Sequence, residues 1–493
     1  MSTLLPPGLV EPPTIPASRY AGADLLPTPL SARTWNARHF ASLWVGMSVC
    51  IPTYMLAAAL IQSGLSWSAA LAAIFIGNAV TLVPMLINGH AGTRYGIPFP
   101  VFLRAAFGPR GAHVPALLRG AVACGWFGIQ TWIGGLAIHE MMTILVPDWA
   151  LFGGAWLWMG FTLPHYIAFL LFFVMNLYFV WNGTESIKWL ETLTAPLLIV
   201  AGLALFWWAA VRAGGLGGMF AGATTLGGAQ PFSFGLFLPW VTAMVGFWAT
   251  LALNIPDFTR FAKSQRDQAF GQASGILTTM PLFAFIGIAV TSATVTIYGE
   301  AIWNPVTLVA RMTVDLDNPV LGFIALLVLM IATLTTNIAA NIVAPANAIA
   351  NLSPVRLTTR MGGLIAAVIG IIIMPWKLLD SYQTWLITYS GLLGAVGGVI
   401  VCDYLVVRRG YLRVADLYAE RGAYTYDMGI NRAATIAMGA GVATALAGLL
   451  HPSVRFLFDG AWFSAAAVAF VLYALLMRSS PASDVVTSQG ELT

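Results

Sequence analysis

Twelve apolar segments, each long enough to cross a bilayer as a helix, dominate this chain and leave it few ways to fold. They lie near residues 39–62, 67–88, 115–143, 161–181, 188–211, 234–257, 270–298, 319–350, 360–378, 384–407, 432–450 and 460–477, numbered here as spans 1 to 12. A helix rising about 1.5 Å per residue needs roughly 20 apolar residues to cross a hydrocarbon core about 30 Å thick. Within that core every backbone N–H and C=O must be paired. The expected fold class is therefore an all-α polytopic membrane protein with twelve transmembrane helices. Charged residues make up 9% of the 493, against about 25% in soluble domains, so no soluble class fits.

The basic residues set an orientation. Arg19, Arg33 and Arg38 precede span 1, and Arg94, Arg104 and Arg110 fall between spans 2 and 3. Arg260, Lys263 and Arg266 follow span 6, Arg356 and Arg360 follow span 8, and Arg408, Arg409, Arg413, Arg421 and Arg432 fill the loop after span 10. The alternate loops hold only Arg212, Arg311, Lys377 and Arg455. By the positive-inside rule both termini lie in the cytoplasm, as expected of a cell (inner) membrane protein. The net charge of +4 belongs to these loops, and no nucleic-acid partner is expected. Residues 1–35 are Pro-rich, lack an apolar h-region, and read as a flexible cytoplasmic tail without a cleavable signal peptide. The expected organisation is that tail, a transport core over 36–410, a cytoplasmic loop over 411–431, two accessory helices over 432–478 and a cytoplasmic C-terminal tail over 479–493. Cys50, Cys124 and Cys402 all sit in apolar segments, so no disulfide framework is implied.

Two spans carry helix-breaking residues at corresponding places. In span 1, Gly46 and Pro52 bracket the middle; in span 6, Gly246 lies mid-segment and Asn254-Ile255-Pro256-Asp257 ends it. Proline lacks an N–H and clashes with the carbonyl four residues earlier. Broken backbone in a bilayer survives only beside a protein-lined cavity. Interruptions five spans apart point to a transporter built from inverted repeats, with breaks in spans 1 and 6.

Unusual residues gather at the same depth. Span 3 places Trp126 and Gln130 four apart and so on one helix face. Span 6 carries Trp248; span 8 carries Thr335, Thr336, Asn337 and Asn341. Cys50, Gln130, Trp248 and Asn341 lie roughly 13–23 Å from the nearest charged marker at the cytoplasmic side, near the middle of the core. Each of these residues has an ordinary structural use, tryptophan in the interfacial belt and polar side chains as helix–helix glue. Taken together they suit a flat, neutral ring: indoles stack on its faces, and carboxamides donate to and accept from its edge. No ionisable side chain reaches that depth in these spans, as a charged substrate would require.

With these strings in place, the sequence resembles the nucleobase:cation symporter-1 family from about Leu26 to Arg478. The matching pieces are Asn88–Gly96, Trp126–Thr131, Asn254–Phe258, Thr336–Asn341, and Asp403-Tyr404 followed by Arg408-Arg409. The resemblance implies a leucine-transporter-type fold, a five-plus-five inverted repeat followed by two C-terminal helices. It implies import of a neutral nucleobase or cyclic ureide (allantoin, uracil, hydantoin or purine) with Na⁺ or H⁺. Trp126 and Trp248 match the family's two stacking indoles, and Gln130 and Asn341 match its amides. Gly46, Val49 and Ala332 fall where backbone carbonyls hold sodium, and Thr335 and Thr336 fall where two hydroxyls complete that site. Cys50 departs from the family pattern, standing where relatives carry Gln or Asn.

Sodium is the expected coupling ion, because a hard cation prefers oxygen ligands and no titratable group occupies the site. Lys188 and Glu191, at the start of span 5, keep proton coupling as the alternative. Arg119 and Asp257 are expected to pair as a cytoplasmic gate when that side is closed. No cofactor and no protein partner is implied. An amino-acid symporter of the same fold is the rival transporter. An intramembrane enzyme would need a nucleophile with its base, or a metal cluster, at mid-depth, and the sequence offers neither; a channel would need rings of charge.

Overall fold

The computed structural model describes residues 5–182, 185–225 and 232–478, with the side chains of 185–195 and 222–225 outside that description. Lys188 and Glu191 fall among those side chains. Among the described residues, seven helices are long and apolar enough to cross a membrane, and nine if each of two bent helix pairs is one span. Three shorter apolar helices, Pro196–Arg212, Thr359–Ile372 and Arg432–Ala447, lie within spans 5, 9 and 11. Length and apolarity thus establish fewer crossings than the twelve expected. Span 9 shows one reason. Its helix Thr359–Ile372 stops before Met374, which adopts a left-handed φ of 53°, and Pro375–Asp380 forms a separate short helix. Among the described residues, the one β-sheet is the two-residue-stranded hairpin Leu157–Trp158 and Phe161–Thr162 before span 4.

Span 1 breaks as its sequence dictates. Helices Ala37–Ser48 and Ile51–Gln62 meet at 57°. Val49 (φ −84°, ψ 78°) and Cys50 (φ −146°, ψ 160°) leave the helical region between them. Pro52 sits in the first turn of the second helix, where its missing N–H costs nothing. Span 6 differs from expectation. Helix Phe234–Asn254 runs unbroken through Gly246, and the interruption falls at its end, where Ile255 precedes the short helix Pro256–Thr259. Gly246 serves packing instead: a Cβ there would meet the Leu386 carbonyl oxygen at 2.6 Å, so its absence lets spans 6 and 10 approach closely. Span 8 carries an interruption of its own. Pro345 cannot donate to the Asn341 carbonyl, and the helix Pro319–Asn341 lapses at Ile342 before resuming as Val343–Ala350.

Residues 5–35 are not the free tail expected from their composition. Arg33 is 4% exposed. Its guanidinium donates to the carbonyls of Thr28 (3.0 Å), Thr93 (2.9 Å), Arg94 (3.2 Å) and Val10 (3.2 Å). Arg104, fully buried, donates to the carbonyls of Tyr20 (3.1 Å) and Leu417 (3.0 Å) and to Asn351 Oδ1 (2.7 Å). Burial draws both guanidinium groups down to about 10, which leaves them charged at neutral pH. The N-terminal segment is thus a strap pinned across the basic end of the bundle. The segment after span 10 is fixed as firmly. Arg408 Nε pairs with Asp403 Oδ2 at 2.7 Å, and Tyr473 of helix Ala461–Met477 donates to Asp403 Oδ1 at 2.8 Å.

Candidate functional site

Spans 1, 3, 6 and 8 meet around one small cavity of about 30 Å³. Its wall holds Cys50, Trp126, Gln130, Trp248 and Asn341, all five of the substrate residues expected from sequence, together with Thr336. The break in span 1 brings Cys50 to it, and the lapse after Asn341 ends the span 8 helix at its edge. A water needs roughly 10–15 Å³ of such space, so the cavity holds about two waters and no ring. The free space between these side chains is thus narrower than a heterocycle.

The aromatic wall explains the narrowness. Trp126 and Trp248 do not face each other across open space. Phe247 lies edge-on to both, with ring centroids 5.1 Å from Trp126 and 4.8 Å from Trp248. Trp126 Nε1 donates to the Tyr389 hydroxyl of span 10 at 3.1 Å, and Trp248 Nε1 donates to Met280 Sδ of span 7 at 2.7 Å. Both indole N–H groups are thus satisfied outside the cavity, which leaves the ring faces as the contact surface. Cys50 Sγ lies 3.3 Å from Thr53 Oγ1.

The polar wall is a pair of carboxamides. Gln130 Oε1 is buried with no hydrogen-bond partner, an acceptor that a bound N–H would satisfy. Asn341 Nδ2 donates to Asn337 Oδ1 at 3.0 Å. No Asp, Glu, Lys, Arg or His lines the cavity.

The residues expected to hold sodium are brought together in part. Thr336 Oγ1 donates to the Gly46 carbonyl at 3.2 Å, directly joining span 8 to the last turn before the break in span 1. Thr335 Oγ1 donates to the Ala332 carbonyl at 2.9 Å, within its own helix. Val49 is the residue at which the helix ends, its N–H still bonded to the Val45 carbonyl at 3.0 Å. These are hydroxyl and carbonyl oxygens, the donor type a hard monovalent cation takes.

The expected gate pair does not make direct contact. Arg119, 1% exposed, donates from Nε (3.0 Å) and Nη2 (2.9 Å) to Asn254 Oδ1, and from Nε to the Thr250 carbonyl (3.2 Å). Asn254 Nδ2 in turn donates to Asp257 Oδ2 at 3.1 Å, while Asp257 Oδ1 accepts the Phe99 N–H at 3.0 Å. Asn254 stands between the two charges. An arginine at 257 could not accept from Phe99, so exchanging the two charges would not rebuild this network.

A larger cavity of about 430 Å³ lies elsewhere, between spans 1, 5, 7 and 8. Its walls, including Leu197, Phe283, Val309 and Leu329, are almost wholly apolar. It lacks the converging polar groups that orient a small polar ligand.

Comparison with known proteins decides the family. The model described as "Permease for cytosine/purines, uracil, thiamine, allantoin" matches residues 27–471. The chain belongs to this permease family. Its relatives include the purine-uracil permease of Arabidopsis thaliana, 44% identical over 87% of this chain and 71% of that one. The allantoin permease of Bacillus subtilis is 40% identical over 96% of both chains. The inward-facing conformation of Mhp1 superposes with a TM-score of 0.78, 25% identity, and coverage of 97% of this chain and 96% of that one. Mhp1 in a closed conformation, a nucleobase-cation-symport-1 family transporter with bromovinylhydantoin bound, gives a TM-score of 0.77 at 25% identity over 95% and 99% of the two chains. The permease is accordingly an integral membrane transporter and not an enzyme, and the family resemblance carried by the motif strings holds.

Several participants in the permease site were not singled out as site residues from sequence. Met47, Phe247, Thr250, Leu251 and Ala340 line the cavity, and Tyr389 and Asn176 act from behind it. Phe247 had a signal in its position beside Trp248. Tyr389 had none, since it meets Trp126 across 263 residues of chain.

Proposed function

We propose that this permease is a cation-coupled symporter that imports a neutral nucleobase or cyclic ureide of the allantoin, uracil or hydantoin class by alternating access. One observation carries the reading. The cavity where spans 1, 3, 6 and 8 meet is walled by two indoles and two carboxamides and by no Asp, Glu, Lys, Arg or His. Such a wall binds a flat, uncharged ring by its faces and its N–H and C=O edge, whereas an amino acid's charged ends would find no counter-charge there. For a ring to enter, Phe247 withdraws from between Trp126 and Trp248, and Gln130 Oε1 exchanges its unpartnered state for a substrate N–H.

Na⁺ is the proposed co-substrate. The Gly46, Val49 and Ala332 carbonyls and the Thr335 and Thr336 hydroxyls are its proposed ligands. The Thr336–Gly46 bond supports this, because it already brings a span 8 hydroxyl and a span 1 carbonyl next to the break to hydrogen-bond distance. On binding, the two hydroxyls would turn their protons away from the Ala332 and Gly46 carbonyls, freeing carbonyl and hydroxyl lone pairs for the ion. That ties the cytoplasmic half of span 1 to span 8 in the loaded state. The remaining proposals concern architecture: twelve crossings in a cell membrane, a five-plus-five repeat over 36–410 with accessory helices over 432–478, and both termini at the basic, cytoplasmic end. Arg119, Asn254 and Asp257 then close the cytoplasmic path below the site.

Uptake of labelled uracil and allantoin into proteoliposomes tests the reading. Uptake should follow an inward Na⁺ gradient at equal pH and stop when choline replaces Na⁺. Uptake driven by a pH gradient in choline would replace sodium by protons. Failure to accumulate any neutral heterocycle would remove the function itself.

A further inference from the structure

Behind Asn341 runs a chain of buried amides whose direction is fixed at its far end. Asn176 of span 4 donates from Nδ2 to the Phe172 carbonyl at 2.8 Å. A carbonyl only accepts, so the Asn176 amide cannot be turned round without losing that bond. Its Oδ1 therefore faces Asn337, whose Nδ2 lies 3.1 Å away. The same Nδ2 also reaches the Phe127 carbonyl at 3.2 Å and Thr131 Oγ1 at 3.1 Å. The Thr131 hydroxyl spends its own proton on the Phe127 carbonyl at 2.7 Å, so toward Asn337 it too is an acceptor. Three acceptors thus hold the Asn337 NH₂ group, and its Oδ1 is left facing Asn341. Asn176 and Asn337 are fully buried, and a reversed amide would set oxygen against oxygen with no water to relieve it.

We propose that Asn176, Asn337 and Thr131 form a one-way relay that fixes the Asn341 carboxamide with its oxygen toward the substrate, so that the site selects rings presenting an N–H there. This rests on the function proposed above and narrows its substrate class. A free carboxamide at a cavity wall reads N–H and lone pair alike, because it can flip. Asn341 cannot flip, since one of its N–H bonds is held by Asn337. Gln130 Oε1, the other buried acceptor, adds a second preference of the same sign. Rings with lactam or ureide N–H edges fit this pair, and rings offering an unprotonated nitrogen at the same place do not. The three residues behind Asn341 are positioning residues: Asn176, Asn337 and Thr131 are absent from the cavity wall and act through Asn341.

Uracil and cytosine make the test, being neutral rings of nearly equal size that differ at one edge, N–H and C=O in one, bare N and C–NH₂ in the other. Binding is measured by competition against a labelled ligand in purified, monodisperse protein. The intact protein should favour uracil by tenfold or more, the discrimination expected from one unmatched buried acceptor. Asn337→Leu should weaken uracil and narrow the ratio to within about threefold, because a freed Asn341 can present its NH₂ to the bare nitrogen. Asn176→Leu should narrow it less, and Asn176→Gln, which keeps an acceptor facing Asn337, should restore it. A merely structural role lowers both ligands equally and leaves the ratio unchanged, which would overturn the relay. A ratio near one in the intact protein also overturns it, whatever the variants do. Failure of every neutral heterocycle to bind would instead overturn the proposed function beneath it.

Discussion

Replacing Asn254 by leucine should destabilise this permease far more than the loss of one amide usually does. Asn254 takes two hydrogen bonds from the buried Arg119 guanidinium through a single oxygen and passes one to Asp257. In Asn254→Leu, Arg119 keeps only the Thr250 carbonyl at 3.2 Å, and its Nη1 already has no partner. Hydrogen bonds to charged groups contribute about 1.5–3 kcal/mol each. The two Arg119 bonds share one acceptor and count for less than twice that. Stranding a buried charge by removing its partner costs about 3–5 kcal/mol, and the expected loss lies in that range. Unfolding of the purified protein by SDS titration in mixed micelles measures it. The same loss should largely vanish in an Arg119→Leu background, giving a coupling of about 2 kcal/mol or more in the double-mutant cycle. A loss below about 0.5 kcal/mol, or plain additivity with Arg119→Leu, would refute the bridging role of Asn254.

Three further outcomes follow from the same geometry. Tyr389→Phe removes the acceptor that holds the Trp126 indole and should weaken ligand binding by about 1 kcal/mol while the fold survives; unchanged affinity in a competition assay would show that the indole is held by packing alone. Gly246→Ala drives a methyl into the Leu386 carbonyl, a backbone neighbour that cannot swing aside, and should cost about 1–3 kcal/mol in the same unfolding assay, with transport falling in parallel. Arg33→Ala leaves the strap carbonyls of Val10 and Thr28, and those of Thr93 and Arg94 in helix Trp67–Tyr95, without their shared donor and should expose residues 5–35 to limited proteolysis that the intact protein resists.

What could be read from the sequence follows a physical line. The bend in span 1 was legible because Pro52 acts on its own backbone, whatever packs around it. The five cavity residues were legible because indoles and carboxamides at mid-membrane depth are costly unless they meet something. Gly246 was misread as a break because its function depends on Leu386, which only the folded chain brings near. The bridge between Arg119 and Asp257 was not legible for a similar reason: charge can be counted in a sequence, but the interposed Asn254 and the Phe99 N–H are matters of geometry. The strap over residues 5–35 was invisible because Arg33 and Arg104 bind it largely through backbone carbonyls, which every residue carries. The relay from Asn176 to Asn341 was half visible, since Asn337 and Asn341 share a helix face, whereas Asn176 lies 161 residues away.

The account's central claim is that the cavity between Trp126, Gln130, Trp248 and Asn341 is where a neutral heterocycle binds. A thermal-shift measurement of the purified permease against uracil and allantoin, with wild type and Asn341→Ala side by side in sodium, tests it most directly. Ligand at about a hundred times its Kd adds roughly 2.7 kcal/mol to the native state. Wild type should therefore melt measurably higher with at least one of the two ligands. Asn341→Ala should need tenfold or more ligand for the same shift, measured from its own ligand-free melting temperature, which falls by a few degrees because the buried Asn337 Oδ1 loses its donor. Equal shifts in the two proteins would contradict the claim and put the binding site elsewhere in the bundle.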